Sequence, residues 1–443
     1  MNKFLIFIII IAIPHCSFDN KSGIWKDSSN QNNIENSSIF KDFKKVTLIK
    51  KDTFNEIVKF QGDYNFLLNS IQNTQNWNEA FYNKSNTYVN FAYNNANKIL
   101  FKSKKLTKHL TRDKVLFSKD FFITTDIKGN IIFYSLKNKK IVRKFNFYKN
   151  KFKSLKKNLN LVIYKDIIYV SDNLGYYYSY NYLSDKIVWA KNYKIPLRSN
   201  IKITKDKVIF ADQNNNLIFV NKSNGEIIKR IPTEEVLVKS FYQNTLAIGN
   251  NNLFFLNIFG SLYSINLINY KINWVLNLNE SLEIDLSNLF EAKIIKFSSD
   301  KLIISTNNSL YVINSFNGSN IYKFPIIGKI EPLITNEQIF IVTKNDLLVC
   351  IDLTSGKIIY SYDINKKIAN FLKIKKNKVN VRLMRLVNDK IYVYLKNSYI
   401  IKFSLDGEIK TIQKLPDLIK SDPIFINRSM LYLNKNNKLI IYN

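Results

Sequence analysis

Side chains able to do chemistry are scarce in this sequence. Imidazoles occur only at His15 and His109, and thiols only at Cys16 and Cys350. A site that needs several imidazoles is therefore excluded, and no disulfide framework can hold the fold. His109 is expected on a surface loop, and Cys350, inside an apolar run, is expected to be a buried small hydrophobe. No paired carboxylates, no Gly-x-Ser-x-Gly motif and no phosphate-cradling glycine loop occur, so we predict no catalytic residue, metal or cofactor.

Small polar residues recur three positions before a Gly or Asn. A rim of metal-binding acids would use such residues, but only three are Asp, and each belongs to a different copy of the pattern. An Asx-type turn cap explains the recurrence more simply, because a repeated hairpin repeats its cap. The residues are Asp126, Asp172, Asp212, Asn257, Ser305 and Asn434.

The chain of 443 residues has a formal net charge of +32. Such an excess is typical of nucleic-acid binding. Drift toward A/T-rich codons is the competing explanation, because Lys, Asn and Ile are abundant together and Asn does not bind phosphate strongly. The basic stretch of residues 137–157 contains no acid and is the one local concentration. It is either a face for anionic lipid head groups or a solvated loop in a generally basic protein.

An apolar run of ten residues, 4–13, follows Lys3 at the N-terminus. It is too short to span a bilayer and fits the h-region of a secretory signal. The run ends in Ile13-Pro14-His15-Cys16, which resembles a bacterial lipobox with Cys16 as the lipidated residue, although His15 departs from the small residue expected there. An ordinary signal peptide with an incidental cysteine is the alternative. We predict a signal at 1–15 and a polar tether at 16–75.

From residue 121 onward one pattern recurs, in which a β-branched run, a Gly or Asn turn and a second apolar run follow one another. The turns are spaced 37 to 52 residues apart. Short strands at this period, each with a turn residue that tolerates positive φ, predict an all-β propeller. The predicted turn residues are Gly129, Gly175, Asn215, Gly260, Asn308, Asn345, Asn397 and Asn437.

A second hairpin follows in each unit, and its clearest copies turn at Gly225 and Gly356. We expect the Ile and aromatic positions after these glycines to point into the blade core on alternate residues. The string from Val349 to Tyr360 resembles the repeat of quinoprotein-type (PQQ-like) propellers. As a set of eight copies, the resemblance covers residues 77–443.

Closure follows from the two ends of the chain. The last copy stops after the strand Leu439-Ile440-Ile441, and residues 97–101 have the form of its missing outer strand. Pairing them removes two exposed sheet edges. We predict an eight-bladed β-propeller of four-stranded blades at 76–443, closed by an N-terminal strand that completes the C-terminal blade.

Signal, tether and propeller together resemble the BamB family, the lipoprotein scaffolds of the outer-membrane β-barrel assembly (BAM) machinery. The resemblance implies a non-enzymatic monomer inside a complex, anchored at the periplasmic face of the outer membrane. Ser17 agrees with that location, because by the family convention an Asp directly after the lipidated cysteine retains a lipoprotein at the inner membrane. Its implied partners are the BamA-like barrel assembly subunit and nascent outer-membrane proteins, with no nucleic acid. The family's Leu-x-Leu-Arg partner-binding loop is matched directly by Leu197 and Arg198, with Ile195 as a conservative replacement of the first Leu. An ordinary loop that connects two blades is the alternative.

Two other classes share the repeat. A PQQ-dependent periplasmic dehydrogenase would be expected to have adjacent cysteines and a cluster of calcium ligands, and this chain has no adjacent cysteines. A propeller that binds another component of the cell envelope would use the same anchor.

Overall fold

The computed structural model describes residues 16–18, 25–27, 53–62, 64–148, 151–234, 243–279, 290–375 and 378–443. The chain divides into two compact units, Met1–Asp52 and Thr53–Asn443. In the first, strands β1 (Cys16–Phe18) and β2 (Trp25–Asp27) pair antiparallel. The predicted signal segment lies outside the described residues. The predicted tether limits stay a prediction, and residues 53–75 lie in the second unit.

The second unit is an eight-bladed β-propeller, as the repeat predicts. In its described part, eight antiparallel sheets of four strands form the ring, and neighbouring blades meet through their inner strands around a central channel. From channel to rim the strands are Leu116–Ser118, Phe121–Thr125, Asn130–Ser135 and Lys140–Asn146 (blade 1, β4–β7); Leu159–Tyr164, Ile167–Asp172, Tyr176–Asn181 and Lys186–Asn192 (blade 2, β8–β11); Lys202–Ile203, Lys207–Ala211, Leu217–Asn221 and Ile227–Ile231 (blade 3, β12–β15); Thr245–Gly249, Asn252–Leu256, Ser261–Asn266 and Ile272–Asn277 (blade 4, β16–β19); Lys296–Ser298, Lys301–Ser305, Leu310–Asn314 and Asn320–Phe324 (blade 5, β20–β23); Leu333–Ile334, Gln338–Val342, Leu347–Asp352 and Ile358–Asp363 (blade 6, β24–β27); Val381–Val387, Lys390–Leu395, Tyr399–Phe403 and Ile409–Lys414 (blade 7, β28–β31); and Ile424–Ile426, Ser429–Leu433 and Lys438–Tyr442 with Ile99–Lys105 (blade 8, β32–β34 with β3).

The N-terminal strand completes the last blade. Strand β3 pairs antiparallel with β34, with Ile99 opposite Tyr442 and Phe101 opposite Ile441. The edge that β34 would expose is covered, and the two ends of the propeller sequence are joined in one sheet. The predicted closure is confirmed.

The hairpins between the second and third strands turn mostly as predicted. Gly129, Gly175, Asn215, Gly260 and Asn437 all have positive φ. Three predicted turn residues were wrong in detail. In blades 6 and 7 the left-handed residue is the next one along, Asp346 and Ser398. In blade 5 Asn308 does not have positive φ. This turn is one residue shorter, because Thr306 N donates to the carbonyl of Ser309, three residues on, whereas Asp212 N in blade 3 donates to that of Asn216, four residues on.

The aromatic residues of the outer strands pack within their own blade, as predicted, and also against the next blade. Within blade 2 the centroid of the Trp189 ring lies 5.8 Å from that of Tyr177. Trp189, on the outer strand of blade 2, packs against Gly225 in the third-to-fourth strand turn of blade 3, where a Cβ would lie 2.4 Å from its ring. The indole Nε1 donates to the carbonyl of Lys222 at 3.0 Å in the same turn. Outer-strand aromatics thus lock one blade to the next. Equivalent pairs are Trp274 with Gly318, Tyr322 with Gly356 and Tyr362 with Gly407.

Residues 72–94, here called the channel segment, cross one end of the central channel. Trp77 exchanges backbone hydrogen bonds with Phe117 of blade 1, and Phe91 N donates a backbone hydrogen bond to the carbonyl of Leu386 in blade 7. Asn86 donates to the carbonyls of Leu246 and Ile295, in blades 4 and 5. Fixed by so many inner strands, the channel segment is a structural part of the ring.

Residues 54–62 and 64–66, here called the strap, run along the outer edge of blade 6. Val58 exchanges backbone hydrogen bonds with Ser361 of β27. Phe60 meets Tyr360 edge-on, with 6.3 Å between ring centroids, and Phe66 stacks on Phe340 at 6.4 Å. An extended segment of this chain therefore adds to the rim of a blade.

One α-helix occurs among the described residues, α1 (Ile364–Leu372), capped by the Asp363 side chain, which accepts from Lys366 N. No helix in that part of the chain is long and apolar enough to cross a membrane.

Candidate functional site: the loop between blades 2 and 3 and the central channel

The predicted partner-binding residues lie in the connection from blade 2 to blade 3. Backbone hydrogen bonds fix this loop at both ends. Leu197 N donates to the carbonyl of Asp172 at 2.9 Å, and Arg198 N donates to that of Ala211 at 2.9 Å. Further on, Asn244 N donates to the Arg198 carbonyl at 2.9 Å. The loop is a rigid element held by the turns of two blades and by the start of blade 4.

The three predicted residues have different exposures. Leu197 is 1% exposed and packs in the apolar core between blades 2 and 3. Ile195 and Arg198 are half-buried and present part of their side chains at the surface. Leu197 therefore anchors the loop from inside, and the side chains that a partner could contact are Ile195 and Arg198. Their partner-binding role stays a prediction.

Five of the six polar residues predicted before the turns act as turn caps, as the simpler interpretation predicts. The prediction is wrong for Ser305, because the hydroxyl of Thr306 caps the turn of blade 5 instead. Asp212 Oδ1 accepts from the backbone N–H groups of Asn214 and Asn216 at 2.8 and 2.9 Å. Asp172 does the same for Leu174 and Tyr176, and burial raises the pKa of its carboxyl. Among the described residues no group of three His, Cys, Asp or Glu side chains is placed to hold a metal ion.

Cys350 and His109 of the propeller both lie among residues that form the fold. Cys350 is fully buried, as predicted, and burial raises the pKa of its thiol well above the usual value. His109 is half-buried, and its backbone carbonyl accepts from the Asn437 side chain at 2.7 Å.

The basic stretch of residues 137–157 is partly structural. Arg143 donates to the carbonyl of Tyr182 and lies 3.5 Å from Asp185, both in blade 2. Lys157 is 3% exposed, its ammonium donates to the Phe152 carbonyl, and burial lowers its pKa. The lysines at 151, 153 and 156 are exposed.

The central channel holds a cluster of buried charges that the sequence analysis missed. Lys202 and Lys296 are each 1% exposed, and Arg385 is 3% exposed. All three lie on inner strands, in blades 3, 5 and 7. The available signal was a single basic residue inside an otherwise apolar run shortly before a turn, as in Ile201-Lys202-Ile203. The three residues of the cluster are far apart in the sequence, so only the closed ring brings them together.

Carboxylates of the channel segment and of the blades neutralise part of the positive charge in the channel. Lys202 lies 2.7 Å from Glu79 of the channel segment, and burial lowers the pKa of Lys202. Asp422 lies 2.9 Å from Lys114, and the neighbouring cations hold its pKa at about 2 against the opposing effect of burial. Burial lowers the pKa of Lys296 to about 8. The channel is a polar, strongly cationic cavity floored by the channel segment.

Comparisons with known proteins agree with this architecture. A family model described as Outer membrane protein assembly factor BamB matches residues 152–362, which run from blade 2 through blade 6. No curated protein sequence matches this chain. The crystal structure of BamB from Moraxella catarrhalis is similar over 79% of this chain and 100% of that chain, with a TM-score of 0.61 and 10% identity.

Two other propellers show the same ring. The computationally designed Ika8 protein covers 78% of this chain and 99% of its own, with a TM-score of 0.58 and 9% identity. The C-terminal WD40 domain of Sif2 covers 78% and 97%, with a TM-score of 0.54 and 10% identity. At these sequence identities the structural likeness shows the fold alone. The chain is an eight-bladed β-propeller, and its residues 152–362 match the BamB family model.

Proposed function

We propose that this protein is a non-enzymatic scaffold of the outer-membrane β-barrel assembly complex. It binds the periplasmic part of the central barrel subunit and helps incoming outer-membrane proteins reach that subunit. The observation that carries the proposal is the match of residues 152–362 to the BamB family model, because the matched segment includes the loop with Ile195, Leu197 and Arg198.

The loop has the properties of a docking element. Its backbone is fixed by two blades, so little conformational entropy is lost when a partner binds. Arg198 offers a planar guanidinium for a partner carboxylate, and Ile195 places apolar surface three residues away on the same loop. Leu197, buried beneath them, holds both in place.

The rim of the propeller supports the second half of the proposal. The outer strands of blades 1 to 4 expose apolar pairs, such as Ile187 and Val188 at 46% and 48%. An unpaired outer strand can accept an added strand from an extended polypeptide. The strap shows this mode of addition within the chain itself, on blade 6.

We further propose that Cys16 carries a lipid that anchors the protein to the outer membrane at its periplasmic face. A single acyl anchor gives reversible binding, and several chains on one residue give stable attachment. Mass spectrometry of the mature N-terminus is expected to find the chain beginning at a modified Cys16.

The proposal is tested by co-purification from gently solubilised membranes. The wild-type protein is expected to recover the barrel assembly subunit. Arg198→Glu is expected to reduce that recovery by about tenfold or more, because it replaces an attraction with a repulsion at the docking loop. The matched control is Arg428→Glu, an exposed arginine in the first-to-second strand turn of blade 8 at the opposite end of the ring.

Failure to recover the subunit with the wild-type protein would contradict the scaffold function. Recovery that is equally strong for wild type and Arg198→Glu would contradict the loop assignment alone. A PQQ- and Ca²⁺-dependent dye reduction by the purified protein would instead support the dehydrogenase class.

A further inference from the structure

We propose that the central channel contains a binding site for an anionic group, a carboxylate or a phosphate, centred on Arg385. The site is a cavity of about 230 Å³ lined by inner-strand and loop residues of blades 5 to 8, by Lys114 just before blade 1 and by Tyr88 of the channel segment. We call it the Arg385 pocket. It is separate from the docking loop between blades 2 and 3 and does not depend on the proposed function.

Basic side chains outnumber carboxylates in the lining of the Arg385 pocket. Five basic side chains line the Arg385 pocket, against two carboxylates, Glu331 and Asp422. Both carboxylates are already shared between cations. Asp422 lies 2.9 Å from Lys114 and 3.2 Å from Arg382, and Glu331 lies 3.7 Å from Lys114 and from Lys296. Lys293 and Lys329 pair with acids outside the lining, Glu291 at 3.6 Å and Asp346 at 2.5 Å. Among the described residues, Arg385 is the cation of the pocket that has no carboxylate within 4 Å.

Arg385 is buried without a direct ion pair among the described residues. It is 3% exposed, and within the described residues no carboxylate oxygen lies within 4 Å of its guanidinium nitrogens. Its Nη1 donates to the Met384 carbonyl at 2.8 Å, while its Nε has no partner among those residues. Burial opposes the charge of Arg385, while Tyr88, Asp422 and Glu331 act on it without a direct ion pair and raise its pKa. A buried charge without a directly bonded carboxylate still costs free energy, and an anion bound beside it would offset that cost.

Tyr88 adds a neutral donor to the same place. Its ring lies 3.8 Å from the guanidinium carbon of Arg385 and 4.6 Å from the Lys296 ammonium, so it is held between two cations. The Tyr88 hydroxyl is buried and has no partner among the described residues. Burial raises the pKa of this phenol, so it stays protonated and able to donate to an oxyanion.

The chemistry of these groups defines the ligand. A guanidinium fork, a phenol and surrounding ammonium groups match the oxygens of a carboxylate or phosphate, and charge-assisted hydrogen bonds of this kind are among the strongest in proteins. The same chemistry could come from a free small anion or from the terminal carboxylate of a polypeptide that enters the channel.

The test is isothermal titration calorimetry of the purified full chain at low ionic strength with three probes. These are inorganic phosphate, a short peptide with a free terminal carboxylate and the same peptide amidated at its C-terminus. We expect saturable binding of phosphate or of the acid peptide, and Arg385→Met is expected to weaken it by about tenfold or more. Binding of phosphate alone identifies a free anion as the ligand, and binding of the acid peptide but not its amide identifies a chain terminus.

The matched control is Arg230→Met, which removes an exposed arginine from the outer strand of blade 3. It should bind the probes as the wild type does. If Arg385→Met does not fold, Arg385→Lys keeps the charge without the planar fork, and Lys293→Met removes a second cation of the pocket; each should still weaken binding. No heat with any probe, or equal binding by wild type and the pocket variants, would overturn the proposal.

Discussion

The junction between blades 2 and 3 and the junction between blades 1 and 2 place different side chains at one equivalent position. In the first, Trp189 lies flat on Gly225, and its indole donates to the carbonyl of Lys222. In the second, Arg143 occupies the place of the tryptophan and donates to the carbonyl of Tyr182, the equivalent acceptor. Asp185 stands where the glycine would be and pairs with Arg143 at 3.5 Å.

The two solutions differ in what stabilises them. Trp189 is 9% exposed and gains from burial of a large aromatic surface, which is largely insensitive to salt. In the ion pair the side chains of Arg143 and Asp185 are 26% and 56% exposed, so the attraction is weak and screened. A repeat can therefore keep its geometry while one junction depends on apolar packing and another on charge.

The largest expected effect comes from removing the aromatic lock. Trp189→Ala deletes a buried indole and its hydrogen bond, and we expect it to lower the free energy of unfolding by about 3–5 kcal/mol. Urea unfolding followed by circular dichroism measures this, because that signal does not depend on the lost fluorophore. A loss below about 1 kcal/mol would show that the junction does not rely on Trp189.

A smaller loss is expected from filling the space beneath the indole. In Gly225→Ala the new Cβ would meet the Trp189 ring at 2.4 Å, at a residue whose φ is +73°. We expect a loss of about 2–4 kcal/mol from overpacking and backbone strain together.

Gly62→Ala is the control for that strain. Gly62 also has positive φ, at +90°, but nothing lies within 4 Å of an added Cβ. It should lose only about 1 kcal/mol. Equal losses in the two variants would mean that strain alone, not contact with Trp189, makes glycine necessary at the junction.

The smallest expected effect belongs to the charged junction. Arg143→Ala should lower the free energy of unfolding by about 0.5–1.5 kcal/mol at low salt, through the lost ion pair and hydrogen bond. Part of this loss should vanish when unfolding is repeated in 1 M NaCl, while the loss in Trp189→Ala should not change. The comparison would fail if both variants responded to salt alike.

Local sequence patterns were enough to predict most of the fold. Alternating apolar runs, with Gly or Asn between them at a regular period, can form only short paired strands, and eight copies with an unfinished last one require closure by residues 97–101. The turn caps were also readable, since Asp172 and Asp212 need only neighbours two and four residues away. The same pattern placed Leu197 and Arg198 on a loop between blades.

Contacts between blades could not be read in this way. The aromatic of each second hairpin was expected in its own blade, and Trp189 packs on the next blade as well, because closure of the ring brings its face against Gly225. Leu197 was predicted as a partner-binding residue and is buried, since burial depends on which strands cover the loop.

The sequence by itself determined the repeat, its hairpins, the number of blades and the strand that closes the ring, because each depends on residues close together in the chain or on its two ends. Only the tertiary structure decided which charges share the channel. Lys202, Lys296 and Arg385 are separated by some ninety residues each, and they form one cationic cavity only because the closed ring turns every inner strand toward the same axis.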